Sequence, residues 1–202
     1  MRSVIAVALL LFAGVTTATA QTGPTFFVHS GATLPTGEGA DATNTGFNLG
    51  AAVDLGFAPG LAIQPAISYH RLGLDDESVL SALDIGGSGA SVSGGTNSLL
   101  TAMANIKYTI PTAGSTQPYL LAGAGMTRLG MSDLTVTVPG ASLRIEAESV
   151  TKFGVNFGAG LDVAVAPTVG IFGQLTYAIA FTEDRTTRMI PLHLGVSFRP
   201  GL

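Results

Sequence analysis

The chain has 202 residues, of which 47% are hydrophobic and only 11% charged, with 27 glycines and no cysteine. A soluble domain usually carries about 25% charged residues, so much of this surface is expected never to meet water. Cysteine chemistry is excluded, and a formal net charge of −4 without basic aromatic patches speaks against a nucleic-acid partner.

Arg2, the apolar run from Val4 to Val15 and the small-residue ending Ala18-Thr19-Ala20 predict a secretory signal peptide over residues 1–20 and one mature domain over 21–202. The mature part holds thirteen acids against eight bases, a net charge of about −5. After the signal no apolar run approaches the ~20 residues that a membrane-spanning helix needs. Only helices and closed barrels satisfy every backbone group in a bilayer, so a barrel is what remains.

Alternation with a period of two recurs along the mature chain, in segments near the length of a tilted membrane strand. The first is 25–34. In the second, 44–57, Phe47, Leu49, Val53, Leu55 and Phe57 share one face, and Gly46, Asn48, Gly50, Ala52 and Asp54 share the other. The third, 61–71, sets Leu61, Ile63, Ile67 and Tyr69 against Ala62, Gln64, Ser68 and His70. A glycine-serine stretch follows within 72–97, expected to be mobile. Segments 98–110 and 118–129 come next, then a hairpin over 133–148 that turns at Pro139-Gly140. In 150–165, Phe153, Val155, Phe157 and Leu161 alternate with Gly154, Asn156, Gly158, Gly160 and Asp162. Segments 168–181 and 188–198 complete the set.

These segments predict an all-β fold, an eight-stranded antiparallel transmembrane β-barrel in an up-and-down meander. The short connections at 58–60, 112–117 and 166–167 alternate with mostly longer ones at 35–43, 72–97, 130–149 and 182–187. Short turns are expected to face the periplasm, which places both termini there. An internal repeat runs through the barrel. FNLGAAVDLGFAP at 47–59 aligns without gaps on VNFGAGLDVAVAP at 155–167, and Tyr69 still matches Tyr177 in the following strand. Hairpin duplication and convergence of barrel strands both explain it.

The charges divide the same way. Eleven acids fall in the predicted outer loops, and only Asp54 and Asp162, the repeat pair, lie in membrane strands, both on the small-residue face. A charge facing lipid is unfavourable, so that face is the lumen. Counted from the short connections, Asp54, Gln64, Lys107 and Asp162 are expected to form one polar layer near the periplasmic end, with His193 nearby. Two roles are open to this layer, a structural plug or a narrow ion path. In the outer loops, Asp75, Asp76 and Glu77, or Glu183 and Asp184, are candidate ligands for divalent cations, though without the spacing of a dedicated site. Arg128, Arg144, Arg185 and Arg188 near the outer rim are candidate contacts for lipopolysaccharide phosphates.

The segments GFNLGAAVDLG, NIKYTIP with QPYLLAGAGMTRLG, KFGVNFGAGLDV and IPLHLGVSF together resemble the small outer-membrane β-barrel proteins of the OmpX and porin-family type. The resemblance covers most of the mature chain and implies the fold, location in the outer membrane of a Gram-negative cell envelope, and handling by the outer-membrane assembly machinery. Barrels of this kind usually end on an aromatic residue, whereas here Phe198 is followed by Arg-Pro-Gly-Leu.

His29, His70 and His193 each fall on lumen positions, and no metal site is expected from them. His29 and Ser30 are adjacent, so they point to opposite faces of a strand and cannot act as base and nucleophile. No cofactor motif is present. The expected function is therefore non-enzymatic: a monomeric barrel with a plugged or very narrow lumen and acidic outer loops, in contact with outer-membrane lipids and lipopolysaccharide. A narrow passive channel is the first alternative and a lipid-modifying enzyme the second.

Overall fold

A computed structural model describes residues 23–37, 40, 43–73, 91–94, 96–138, 141–145, 149–181 and 186–200. Eleven strands are present among them: β1 (Thr25–Thr36), β2 (Gly46–Ala58), β3 (Leu61–Leu72), β4 (Ser91–Gly94), β5 (Asn97–Thr109), β6 (Thr116–Met131), β7 (Leu134–Val138), β8 (Ala141–Ile145), β9 (Ser149–Ala164), β10 (Val169–Phe181) and β11 (Thr186–Phe198). Eight of these close a barrel in the order β1, β2, β3, β5, β6, β9, β10, β11, every pairing antiparallel, with β11 returning to β1 through Phe26 opposite Phe198. This is the meander that the alternation predicts, and each predicted strand has its counterpart. The predicted signal peptide and the acids Asp75, Asp76, Glu77, Glu183 and Asp184 lie outside the described residues.

The barrel is apolar outside and polar inside. Phe47, Leu49, Phe57, Ile63, Ile106, Leu120, Phe157, Leu161, Leu175 and Leu194 are exposed on its outer wall, whereas Asn48, Gln64, His70, Asn105, Lys107, Thr127, Asp162 and Ser197 are buried within. A soluble protein does the reverse. Such a continuous exposed apolar wall is stable only against hydrocarbon, where closure has already paired the backbone groups.

Of the four prolines within barrel strands, Pro65 and Pro191 sit away from the strand ends without opening the wall. Pro65 pairs with Ala104 on β5, but no pair is registered between it and β2. Pro191 pairs with Thr33 on β1 in the same way, and none joins it to β10. A proline lacks one donor, so each ladder skips on one side only. The short turn Pro59-Gly60 places Gly60 at φ 72°, a left-handed conformation that glycine adopts at little cost.

At the end of the long connections a second sheet stands apart from the barrel, in the order β4, β7, β8. β7 and β8 are the hairpin expected over 133–148, with Val138 opposite Ala141. β4 was not expected, because a glycine-serine stretch reads as a flexible linker. Residues Ser91, Val92, Ser93 and Gly94 nevertheless pair with Thr137, Val136, Thr135 and Leu134. The edge of β7 offers a row of backbone groups that the short alternating piece can match.

Candidate functional site in the barrel interior

The lumen is built in layers, each supplied by inward positions of several strands. Nearest the short turns, a vestibule of about 530 Å³ is lined among others by Thr25, Gln117, Asp54, Lys107, Asp162 and Arg199. At its inner end Lys107 on β5 places Nζ 2.7 Å from Asp54 Oδ2, the two side chains being 3% and 15% exposed. Gln64 Nε2 donates to Asp54 Oδ1 at 2.7 Å, and Asn105 Nδ2 donates to Gln64 Oε1 at 3.3 Å. The Lys107 ammonium also lies 4.1 Å from the centroid of the Phe27 ring and 4.0 Å from that of Tyr119. A desolvated cation between two aromatic faces gains from both quadrupoles, so one carboxylate and two rings compensate for its loss of water.

Tyr119 fits because β9 has glycine opposite it. A Cβ on Gly160 would come 2.4 Å from Tyr119 Cζ and from its hydroxyl oxygen. The ring therefore lies over β9 at Gly160, and its hydroxyl donates to Gln174 Oε1 on the next strand at 3.1 Å. This is the physical reason for one of the glycines that alternate with large residues in β9.

Asp162, at the same end, has other partners. Ser197 Oγ donates to its Oδ1 at 3.0 Å, and the Arg199 guanidinium pairs with its Oδ2. The backbone N–H of Arg199 donates to Thr168 O at 2.8 Å, so the chain after β11 continues the β10–β11 ladder by one residue, which sets Arg199 at the short-turn end of the barrel. Of the expected layer, the structure thus joins Asp54, Gln64 and Lys107 directly and sets Asp162 in the vestibule with them, held by Arg199.

His193 stands apart. It lies four residues from Ser197 along β11, roughly 13 Å at the usual rise of a strand. There its ring stacks on His29 with centroids 4.0 Å apart, and its Nδ1 accepts from Gln174 Nε2 at 3.2 Å. Between the two levels Phe27 and Phe172 meet edge to face, with centroids 5.1 Å apart. His29 Nε2 lies 3.2 Å from Ser68 Oγ, and His70 Nδ1 lies 2.8 Å from Thr33 Oγ1. Rings that stack, or turn to separate hydroxyls, do not converge on one ion, and no metal-binding group of three occurs among the described residues.

Beside these histidines is an interior cavity of about 50 Å³, whose lining includes Asn105, Asn156 and His193. Asn105 Oδ1, Asn156 Oδ1 and His193 Nε2 have no hydrogen-bond partner in the protein. The cavity has room for about three waters, the usual partners of such buried atoms. Above it, Leu72, Leu99, Ala178 and Met189 pack together with Leu129 against them. An apolar layer thus spans the end nearer the long connections.

Of the rim arginines, Arg128 and Arg188 are exposed on outward-facing positions, while Arg185 and the side chain of Arg144 lie outside the description. Sequence reasoning missed Phe27, Tyr119, Asn105 and Arg199. The one available signal was Tyr119 itself, a large residue on a face that is otherwise mostly small.

An eight-stranded barrel with an apolar outer wall and a polar interior defines a membrane-spanning outer-membrane protein. The family model described as the outer membrane protein beta-barrel domain matches residues 5–198, and the chain belongs to that family. The match is to the family as a whole, which is broader than the OmpX type. Among solved structures, the chain is similar to Neisserial surface protein A, at 18% identity and TM-score 0.54, with 87% of this chain and 94% of that one covered. A major outer membrane protein from Thermus thermophilus is similar at 16% identity and TM-score 0.55, covering 87% and 99%. The outer membrane protein OprG from Pseudomonas aeruginosa is similar at 11% identity and TM-score 0.51, covering 91% and 99%. At these identities the likeness is one of fold. No curated protein sequence matches the chain.

Proposed function

We propose that this outer-membrane barrel is closed to solutes and works as a non-enzymatic surface protein, through its outer wall and the segments at its long-connection end. The observation that carries this reading is Lys107, whose side chain, 3% exposed, is held between Asp54, Phe27 and Tyr119 across the lumen. The apolar layer around Leu99 and Met189 adds a second barrier. Eight strands leave an interior that side chains can fill. The burial of the imidazole–hydroxyl pairs supports the non-enzymatic part: His29 with Ser68 and His70 with Thr33 are all buried within the lumen, and Ser30, adjacent to His29, is exposed on the other face.

In this reading the short turns and both termini face the periplasm, and the sheet of β4, β7 and β8 faces outward. The partners are outer-membrane lipids, lipopolysaccharide and, during insertion, the assembly machinery; the barrel works as a monomer. Liposomes containing the folded protein should retain a small entrapped dye as well as empty ones do, and rapid leakage would refute closure. Lipid A from cells overproducing the protein should keep its normal mass spectrum, and a new acylation or deacylation product would refute the non-enzymatic part.

The vestibule favours a second reading, a narrow passive channel. It opens at the short-turn end and leads directly to charged groups, as an ion path would. In that case replacing Lys107 would alter ion selectivity.

A further inference from the structure

The outer wall carries an organised site next to the long-connection end. Strand register sorts the outward residues of β3, β5, β6 and β9 into rows. One row is Ile67, Ala102, Met126 and Phe153, which is entirely apolar. The next row towards the long connections is Tyr69, Leu100, Arg128 and Thr151, and the one beyond it is Arg71, Ser98, Gly130 and Ser149. Within two rows the wall passes from hydrocarbon-facing to cationic and hydroxylated. This transition marks headgroup depth.

Gly130 leaves a gap in the upper row. A Cβ there would lie 3.1 Å from Ser98 Oγ and 3.9 Å from Ser149 Cβ, and without it the wall keeps a groove of about 420 Å³. Arg71 and Arg128 flank that groove, and Tyr69, Ser98 and Ser149 line it with hydroxyls. Arg128 Nη2 donates to Ser149 Oγ at 3.0 Å, which orients the guanidinium while using one of its five N–H donors.

We propose that this groove binds a phosphate group on the headgroup of an outer-leaflet glycolipid, with the acyl chains running down over Ile67, Met126 and Phe153. Two guanidinium groups in a half-dry setting match a phosphate in charge and in fork geometry. The opening faces sideways, onto the lipid, at the depth where such a phosphate lies. The proposal rests on the orientation given above, which sets the long connections outside, and on no feature of the lumen.

The test reads lipid retained by the purified barrel. The protein is reconstituted in phosphatidylcholine nanodiscs containing lipid A with both phosphates, or the same lipid with its phosphates removed, then extracted gently and examined by native mass spectrometry. The native barrel should retain the phosphorylated lipid at least about tenfold better than the dephosphorylated one, and the R71Q/R128Q variant should lose that preference. Gly130→Val keeps both arginines but fills the gap, and should lose it too. Lys152→Gln, which removes a positive charge from the lumen side of β9, should bind as the native chain does. All variants are first shown to be folded by heat-modified mobility in gels. Retention unchanged in both R71Q/R128Q and Gly130→Val would overturn the site, and so would equal loss in Lys152→Gln. Full displacement by inorganic phosphate would show that free phosphate, and not a lipid, is the ligand. A leaking barrel that still retains lipid would contradict the closed lumen alone, and a tight barrel that retains none would contradict this site alone.

Discussion

Asp54 and Asp162 occupy equivalent places in the two copies of the internal repeat, yet different cations neutralise them. Asp54 holds Lys107 from the wall of the barrel, and Asp162 holds Arg199 from beyond the last strand. The same carboxylate has thus been placed twice on the lumen face and satisfied once internally and once by the chain end.

This difference predicts unequal costs. Removing one member of a buried pair leaves an uncompensated charge and costs about 3–5 kcal/mol. Lys107→Met alone and Asp54→Asn alone should each destabilise the barrel to that extent in urea titrations from lipid vesicles, and the double variant should recover a large part of the loss. Additive losses in the double variant would mean that the pair is not the unit of stability.

Arg199 is 28% exposed on its side chain, so water already solvates part of the charge. Arg199→Ala removes the group that covers Asp162 at the vestibule and leaves its hydrogen bond from Ser197, so it should cost less than Lys107→Met, about 1–2 kcal/mol, and added salt should narrow the difference from native. The check is the same titration at low and high ionic strength.

Gly160 is predicted to be intolerant of bulk, because the ring of Tyr119 occupies the position of its missing side chain. Gly160→Leu should destabilise by about 1–3 kcal/mol through overpacking, and combining it with Tyr119→Ala should relieve part of the cost. Urea midpoints of the two single variants and the double variant decide it.

The chain has no cysteine, so introduced ones report on orientation without background. Ser142→Cys in the β7–β8 hairpin should react with a membrane-impermeant maleimide on intact cells. Gly114→Cys, in a short turn where a Cβ would meet nothing within 4 Å, should react only after the outer membrane is opened. The reverse pattern would invert the barrel.

Most of the wall could be read from alternation, because the side chains of a strand divide by parity and one face here had to meet lipid. The third segment, predicted as 61–71, is observed as Leu61–Leu72, and the first, predicted as 25–34, runs to Thr36. Asp54, Gln64 and Lys107 were brought together by counting from short turns, which works where neighbouring strands leave the same end. His193 escaped that count, because its height depends on the stagger around the closed barrel, which no single strand encodes. Phe27 was legible as an inward residue but not as a partner of Lys107, since β1 and β5 are not neighbours and the two meet across the lumen; Tyr119 lies on the neighbouring β6, diagonal to Lys107, but its contact depends on how its ring turns over β9. Arg199 lay past the last alternating residue, where periodicity carries no information. β4 was hidden because its pairing depends on an edge supplied by a distant hairpin.

The most direct test of a closed lumen is single-channel recording of the folded mature barrel in a planar bilayer, comparing the native chain with Asp54→Asn and Lys107→Met. The account predicts no openings from the native protein at any applied voltage. Steady openings whose size or ion selectivity changes in Lys107→Met would contradict it, and would make the Asp54–Lys107 layer the selectivity element of a small channel.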